Sequence, residues 1–224
     1  MPYMVKENKM KHHPLMFITP NLPLADLVPL VSDYLSGGGK WLQLRLKDCH
    51  PDEIIKTSTE MKAMCHKVGA VFIINDHPDI AKAVQADGVH LGKKDTPVSQ
   101  AREILGEEYI IGGTANTVED MIFLAESGVD YIGLGPFRFT STKKILSPII
   151  GLEGYAERMK RFREAGFETP VTAIGGILLD DVEAIMSTGV NGIAVSGVLA
   201  KNENIIEITK QFASKTTHKY INHE

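Results

Sequence analysis

The chain has 224 residues, of which 43% are hydrophobic and 23% charged, with 24 lysines and arginines against 28 aspartates and glutamates. These proportions are ordinary for a globular protein, and the length suits one large domain. A net charge of −4, spread along the chain, excludes the basic surface of a nucleic-acid-binding protein. No apolar run approaches the roughly 18 residues of a membrane-spanning helix, so we expect no membrane partner.

The first 14 residues are polar and contain no apolar stretch of the kind found in a signal peptide. We therefore expect a flexible N-terminal tail at 1–14, and a second tail at 218–224. The two cysteines, Cys49 and Cys65, do not have the spacing of metal ligands and predict reduced thiols in a cytoplasmic protein.

From residue 15 onward, eight short apolar runs alternate with longer amphipathic segments. The runs predict strands at Leu15–Thr19, Trp41–Arg45, Ala70–Ile74, Gly88–Leu91, Tyr109–Gly112, Tyr131–Leu134, Val171–Ile174 and Gly192–Val195. The segments predict helices at Leu24–Ser36, Pro51–Lys67, Pro78–Gln85, Val98–Leu105, Val118–Ser127, Leu152–Ala165, Leu179–Ser187 and Asn204–Ser214. Strict alternation indicates a parallel sheet with helical crossovers.

Eight such units without a change in composition predict an α/β fold of one (β/α)8 TIM barrel over residues 15–217. Glycines at the predicted helix ends agree with this assignment, since Gly69, Gly128, Gly166 and Gly189 each stand just before a strand. An open doubly wound sheet is the alternative fold. It would call for a glycine-rich turn after the first strand, and residues 18–21 read Ile-Thr-Pro-Asn instead.

The second predicted strand is polar on one side, which is unexpected in a barrel whose strands are buried on both faces. Its alternation places Gln43, Arg45 and Lys47 on one face and leucines on the other. The leucines can pack on the helices, so the polar face points into the barrel mouth. Because an isolated inward charge is costly, this face predicts an anionic ligand at the C-terminal end of the strands.

Two aspartates follow the next two strands, Asp76 directly after the third and Asp95 shortly after the fourth. Either one alone could cap the helix that follows it. Neighbouring strands lie about 5 Å apart, so the two carboxylates can converge, which is unfavourable unless a cation or a proton lies between them. Together with the cationic strand, the pair predicts a Mg²⁺ ion that is also held by substrate phosphate.

A second anion site is predicted at the ends of the last three strands. The sixth strand leads through Gly133–Pro136 into Thr140-Ser-Thr142-Lys143, whose hydroxyls and lysine can surround a phosphate. The seventh leads into Gly175-Gly176 and the eighth into Ser196-Gly197. Barrels commonly bind phosphate on the loops after strands seven and eight.

Six segments in chain order resemble the thiamine-phosphate synthase family. They are Gln43-Leu-Arg-Leu-Lys47, Ile74-Asn-Asp76, Ala86-Asp-Gly-Val-His-Leu-Gly92 with Asp95, Gly133-Leu-Gly-Pro136, Thr140-Ser-Thr-Lys143 and Ile174-Gly-Gly-Ile177. The resemblance covers nearly the whole chain beyond residue 14. It implies an enzyme that condenses 4-amino-2-methyl-5-(hydroxymethyl)pyrimidine diphosphate with thiazole phosphate, releasing diphosphate and giving thiamine phosphate.

The resemblance also implies roles for individual residues. The metal ligands are Asp76 and Asp95, and the residues that act on the departing diphosphate are Arg45, Lys47 and Lys143. The residues that bind the pyrimidine diphosphate are Gln43, Arg45, Lys47, Asn75, Thr114 and Lys143. The residues that bind the thiazole phosphate are Thr140, Thr142, Gly176, Ser196 and Gly197.

Some positions depart from the family pattern. Thr114 stands where a serine is usual and keeps the hydroxyl, whereas Asn116 stands where a histidine is common. Lys93 replaces a typical glutamine, and the last turn reads Val195-Ser-Gly rather than Val-Val-Ser. His90 lies among the motif residues, with a structural and a catalytic role both open.

The chemistry that the resemblance implies is a dissociative substitution, in which the aminopyrimidine stabilises a methylene cation that the thiazole nitrogen captures. No Ser-His-Asp or Cys-His arrangement is present to supply a nucleophile. Two alternatives remain: a thiazole tautomerase on the same barrel, which would need no metal–diphosphate site, and a non-catalytic phosphate-binding barrel. A homo-oligomer is possible in either case.

Overall fold

The computed structural model describes residues 13–139 and 148–217 and forms a closed barrel of eight parallel strands. Each strand pairs with the next in the sequence, and the eighth pairs with the first, so the predicted (β/α)8 barrel is confirmed. The strands are β1 (Leu15–Ile18), β2 (Trp41–Leu44), β3 (Val71–Asn75), β4 (Gly88–Leu91), β5 (Ile110–Ala115), β6 (Tyr131–Leu134), β7 (Val171–Ile174) and β8 (Gly192–Val195).

Helices follow the strands and surround the barrel. They are α1 (Leu24–Ser36), α2 (Pro51–Lys67), α3 (Pro78–Ala83), α4 (Val98–Leu105), α5 (Val118–Glu126), α6 (Gly151–Glu164), α7 (Val182–Ser187), α8 (Gly197–Ala200) and α9 (Ile205–Thr217). The predicted helix at 179–187 begins as a 3-10 turn, Leu179–Asp181, and the four-residue α8 was not predicted. Within the described ranges, no helix is long and apolar enough to cross a bilayer.

The apolar side chains form two layers, one on each face of the sheet. The larger layer lies between the strands and the helices and contains Leu42 and Leu44 of β2. The smaller layer fills the barrel interior. Its buried members are Met16, Ile18, Trp41, Val71, Ile73, Ile110, Tyr131 and Ala194. Trp41 therefore faces inward and its leucine neighbours face outward, which confirms the alternation predicted for β2.

The N-terminal ends of β4, β6 and β8 carry a repeated arrangement. Asp130 precedes β6, and its carboxylate accepts hydrogen bonds from the Ile111 backbone N–H at 2.8 Å and from Arg102 at 2.8 Å. Asp87 before β4 accepts from the Phe72 N–H and contacts His66 in the same way. The third copy precedes β8, where the side-chain oxygen of Asn191 accepts from Val171 and Arg163. These contacts tie β4, β6 and β8 to the strand that precedes each of them and to the helix before that strand.

The helix ends and the first described residues of the barrel have definite backbone features. The four glycines predicted to end helices all have positive φ, between 67° and 101°. Pro14 lies at the start of the sheet, since its carbonyl accepts a hydrogen bond from the Ile193 N–H at 2.8 Å. Apart from residues 13 and 14, the two predicted tails lie outside the described residues.

Candidate active site

The polar segment after β2 is held in an extended conformation by side chains of the β1–α1 loop. Strand β2 ends at Leu44, one residue earlier than predicted. Beyond it, the Arg45 N–H donates to the Thr19 hydroxyl at 2.9 Å. The Asn21 amide accepts from the Lys47 N–H at 2.9 Å and donates to the Lys47 carbonyl at 3.1 Å. Thr19 and Asn21 therefore continue the alternation past the strand end, a role that no sequence motif marks.

Gln43 and Asn75 form a buried amide pair on the inner face of neighbouring strands. Gln43 Nε2 donates to Asn75 Oδ1 at 2.8 Å, and both side chains are buried. The remaining oxygen, Gln43 Oε1, is a buried acceptor with no hydrogen-bond partner in the described part of the chain. A buried amide left with one free acceptor suits a ligand that brings an N–H or O–H donor.

Asp76 and Asp95 converge as predicted. Burial raises the pKa of Asp76, and its side-chain hydrogen bond with Asp95 raises it further, against the opposing charge of Lys47. Burial also acts to raise the pKa of Asp95, but the Asp76 carboxyl and the Gly92 N–H hydrogen-bond to it and leave it lowered. The two carboxyl groups therefore lie against each other, in a position where a divalent cation would satisfy both.

Neither aspartate caps a helix. The residues that precede α3 and α4 are His77 and Pro97, and neither helix start has a side-chain capping bond. Asp76 has a φ of 69°, a conformation that is unfavourable for a residue with a side chain and that is concentrated at functional sites. Gly92 makes room for Asp95, because a Cβ there would lie 2.7 Å from the carboxylate. The capping alternative is thus wrong for both residues.

Lys47 completes a charged cluster at the mouth of the barrel. Its ammonium group forms an ion pair with Asp76, whose side chain is 12% exposed against 40% for the lysine. A cavity of about 400 Å³ opens here between the loops after β2, β3 and β4, and both aspartates and Lys47 line it. Within residues 13–139 and 148–217, no three histidine, cysteine or acidic side chains gather as a metal cage. Two carboxylates beside a cavity fit a Mg²⁺ ion that also takes oxygens from a phosphorylated ligand.

A hydrogen-bonded chain of three side chains crosses the inner face of β4, β5 and β6. His90 Nδ1 lies 2.9 Å from the Tyr131 hydroxyl, and Nε2 lies 2.9 Å from the Thr114 hydroxyl. Thr114 itself is partly exposed at the mouth, whereas Tyr131 is 1% exposed. Because the partners lie 24 and 41 residues from His90, no local motif could have predicted this chain.

The loop after β6 is fastened to the end of β7. The Phe137 N–H donates to the Ile174 carbonyl at 2.9 Å, and the Arg138 N–H donates to Gly175 at 3.0 Å. The Arg138 guanidinium also pairs with Asp181 at 2.6 Å. Thr140, Thr142 and Lys143, which were assigned to this loop, lie outside the described residues.

The other residues assigned to the thiazole phosphate lie at the same end of the barrel. Gly176 follows β7 with a φ of 72°, and its α-carbon lies close to Arg138. Ser196 directly follows β8, and Gly197 begins α8. The backbone at Gly197 is open, since an added Cβ there would meet nothing within 4 Å. These three residues thus border the mouth on the side opposite the aspartates.

The departures at Lys93 and Asn116 have structural partners. Lys93 forms an ion pair with Asp120 at 2.5 Å, which links the loop after β4 to the start of α5. The Asn116 side chain donates to the Gly135 carbonyl at 2.5 Å, and the backbone carbonyl of Asn116 accepts from Arg158 Nε at 3.2 Å. Both substitutions connect neighbouring loops at the barrel mouth.

Comparison with known proteins shows the family of this barrel. A family model described as thiamine monophosphate synthase matches residues 15–199. The chain belongs to this family. A thiamine-phosphate synthase of Bacteroides fragilis is 51% identical over 177 residues, covering 79% of this chain and 87% of the relative. Another of Flavobacterium psychrophilum is 42% identical over 204 residues, or 91% and 99% of the two chains.

A solved structure supports the same assignment. The thiamine phosphate pyrophosphorylase of Pyrococcus furiosus superposes with a TM-score of 0.81 at 31% identity, covering 93% of this chain and 97% of that one. The resemblance recognised from the six motifs is therefore confirmed as membership of the thiamine monophosphate synthase family.

Proposed function

We propose that this member of the family is a transferase that joins 4-amino-2-methyl-5-(hydroxymethyl)pyrimidine diphosphate to thiazole phosphate, giving thiamine phosphate and diphosphate. The observation that carries the proposal is the Asp76–Asp95 carboxyl pair beside Lys47, at the mouth of a barrel whose relatives are named thiamine-phosphate synthases. A tautomerase acting on the thiazole phosphate alone would have no use for this cluster.

In the proposed reaction the bond from the pyrimidine methylene carbon to the diphosphate oxygen breaks, and its electron pair leaves with the diphosphate. The thiazole nitrogen then supplies the pair that forms the new carbon–nitrogen bond. The charge that grows on the diphosphate is neutralised by Arg45, Lys47 and Lys143, so these residues stabilise the transition state electrostatically. The amide pair of Gln43 and Asn75 orients the pyrimidine, and no protein nucleophile takes part.

Asp76 and Asp95 would hold Mg²⁺, and their chemistry fits that ion because both offer hard carboxylate oxygens in contact with each other. When bound, the ion would supply positive charge to the departing diphosphate. Lys47, which neutralises Asp76 in the protein alone, would be released to the substrate oxygens. This exchange of partners couples binding of the metal to binding of the anionic substrate.

The thiazole phosphate is proposed to bind on the opposite side of the mouth. Gly176, Ser196 and Gly197 offer backbone N–H groups after β7 and β8, and Thr140 and Thr142 would add hydroxyls. With the two reactants on opposite sides, the thiazole nitrogen can approach the methylene carbon across the barrel axis while the mouth excludes water from the cation.

The cellular setting is proposed from the state of the two cysteines. Cys49 and Cys65 are both unpaired, which agrees with a reducing, cytoplasmic compartment. The substrates are small phosphorylated molecules, and we expect neither a nucleic-acid nor a membrane partner. The flexible tails at 1–14 and 218–224 and a homo-oligomeric state stay predictions, which limited proteolysis and light scattering would test.

Reconstitution with both precursors tests the function directly. Purified protein, the pyrimidine diphosphate, thiazole phosphate and Mg²⁺ should yield thiamine phosphate and diphosphate in equal amounts. Omitting either precursor should abolish both products. Release of diphosphate without thiamine phosphate, or isomerisation of the thiazole phosphate alone, would contradict the proposal.

A further inference from the structure

The hydrogen-bonded chain of Tyr131, His90 and Thr114 has a direction that follows from where its ends lie. Tyr131 is 1% exposed and stands in the barrel interior, with its ring edge on to Trp41 at 5.0 Å between centroids. Thr114 is partly exposed at the mouth. One end of the chain is thus shielded from water, and the other reaches the candidate active site.

The buried end must donate. Burial raises the pKa of the Tyr131 hydroxyl, which therefore keeps its proton over the working pH range. In the described part of the chain, the acceptor within hydrogen-bond distance of that hydroxyl is His90 Nδ1, at 2.9 Å. If Nδ1 carried a proton, the tyrosine proton would be buried without an acceptor, which disfavours that arrangement by roughly one to two orders of magnitude.

The His90 ring then determines the direction of the hydrogen bond at the mouth. With Nδ1 accepting from Tyr131, a neutral imidazole carries its proton on Nε2, 2.9 Å from the Thr114 oxygen. The Thr114 oxygen accepts that bond, which leaves its own O–H to donate away from the histidine. Gly133 leaves room for the imidazole on the neighbouring strand, since a Cβ at that position would lie 3.0 Å from His90 Cε1.

We propose that Tyr131 and His90 are positioning residues that fix the Thr114 hydroxyl as a hydrogen-bond donor to the diphosphate of the pyrimidine substrate. This inference rests on the proposed function for the identity of the acceptor, but the direction of the chain depends only on the protein. A preset donor is worth more than a freely rotating hydroxyl because no reorientation is needed as negative charge grows on the leaving group.

The direction is tested on the protein alone by ¹⁵N NMR of the histidine rings near pH 8. The chain has eight histidines, so loss of a signal in His90→Asn assigns the resonance. We expect His90 to be protonated on Nε2 and unprotonated on Nδ1, and to become a mixture of the two tautomers in Tyr131→Phe. A wild-type His90 protonated on Nδ1, or on both nitrogens, would overturn the proposal.

Kinetics test the consequence. Tyr131→Phe should lower kcat about three- to tenfold, the worth of one neutral hydrogen bond, with the KM for thiazole phosphate unchanged. Thr114→Val should lower kcat about 10- to 100-fold, because the lost bond is to a charged group, whereas Thr114→Ser should restore most of the activity.

Tyr34→Phe is the matched control. It also removes a buried hydroxyl, one that donates to the Leu15 and Trp41 carbonyls at 3.1 and 3.0 Å, outside the chain. It should lower the melting temperature and leave kcat unchanged. Equal kcat losses in Tyr34→Phe and Tyr131→Phe would overturn the proposal, because the effect would then be structural. A wild-type protein that forms no thiamine phosphate would refute the proposed function alone, since the tautomer measurement needs no substrate.

Discussion

Asp76 combines two unfavourable features at a single position, a left-handed backbone and a carboxyl group buried against a second one. Such features persist only where the surrounding structure enforces them, and they are concentrated at functional sites. The same residue explains why Lys47 lies where it does, since the ammonium group partly neutralises the carboxyl pair. Under the proposed function, Mg²⁺ and a polyanionic substrate would relieve this state.

Removing either carboxylate should nearly abolish turnover. Asp76→Ala and Asp95→Ala should each lower kcat/KM by at least about 1,000-fold, because they leave the diphosphate charge without its metal. Excess chelator should have the same effect on the wild type. Asp52→Ala, which removes an 88% exposed carboxylate from α2, is the control and should be silent. Undiminished turnover in chelator would rule out the metal site.

Arg45 should be sensitive to geometry as well as to charge. In the described residues its guanidinium has no ion-pair partner, although its backbone is fixed by Thr19. Its planar fork can grip two phosphate oxygens, whereas lysine offers one point charge. Arg45→Lys should therefore lower kcat/KM about 10- to 100-fold, and Arg45→Ala should lower it further.

The stability of the Arg45 variants separates a binding role from a structural one. Because the arginine has no carboxylate partner in the described residues, both variants should melt at or above the wild-type temperature without ligand. The measurement is thermal unfolding beside steady-state kinetics. A variant that melts lower but turns over normally would identify Arg45 as a structural residue and contradict its assignment to the diphosphate.

At the scale of elements, the three repeated contacts at the N-terminal ends of β4, β6 and β8 lie at the end opposite the site. Asp130 is the most enclosed case, since its side chain is 12% exposed and that of Arg102 is 18% exposed. Asp130→Ala would leave the Ile111 N–H and the Arg102 charge without this acceptor. We expect the free energy of unfolding to fall by about 3 kcal/mol while kcat of the folded enzyme stays unchanged.

Asp130→Asn is the matched variant, because the copy before β8 already uses Asn191 in this position. The amide oxygen can still accept from Ile111, so the loss should be smaller, about 1 kcal/mol. Urea unfolding at constant pH measures both values. If Asp130→Ala and Asp130→Asn were equally destabilising, the backbone hydrogen bond would contribute little to the arrangement.

The sequence predicted an element well where a local pattern determines its ends, and poorly where tertiary packing determines them. Seven strands matched to within one residue because they are apolar runs, but β5 continues to Ala115, three residues beyond its predicted end. The extension reads Gly113-Thr-Ala, which carries little strand signal. The adjacent Gly112 is required by the Tyr131 ring, which occupies the space of a Cβ there. Only the assembled barrel reveals that need.

The candidate site divides in the same way. The residues on β2, β3 and their loops were predictable because alternation and polar residues in apolar runs mark them. Thr19, Asn21 and Tyr131 were missed, since each acts through a partner at least 26 residues away or across the barrel. Their side chains look like ordinary loop or core residues until the strands close.

At the scale of the whole molecule, burial of four ionisable groups sets the stability of the fold in alkali. Tyr34, Tyr131, Tyr155 and Cys65 are buried, and burial raises the pKa of all four groups, that of Cys65 to about 12. In the unfolded chain these groups would lose their protons from about pH 9 for the thiol and about pH 10 for the tyrosines. Between those values and the folded pKa values, the unfolded state binds fewer protons than the native state.

By linkage, the stabilisation that these four buried groups contribute is complete below about pH 9 and is lost as the pH rises. Each group should contribute a slope of about −1.4 kcal/mol per pH unit to the free energy of unfolding once its unfolded form has titrated. Urea unfolding from pH 8 to 11.5 should therefore show a steep fall. At pH 8 the Tyr34→Phe variant should be less stable than the wild type. Its free energy of unfolding should then fall less steeply with pH, by the slope of one group, because the variant lacks one proton that the wild type releases on unfolding. Parallel curves for the two proteins would mean that Tyr34 ionises in the native barrel, and its hydroxyl would then have to be reached by solvent.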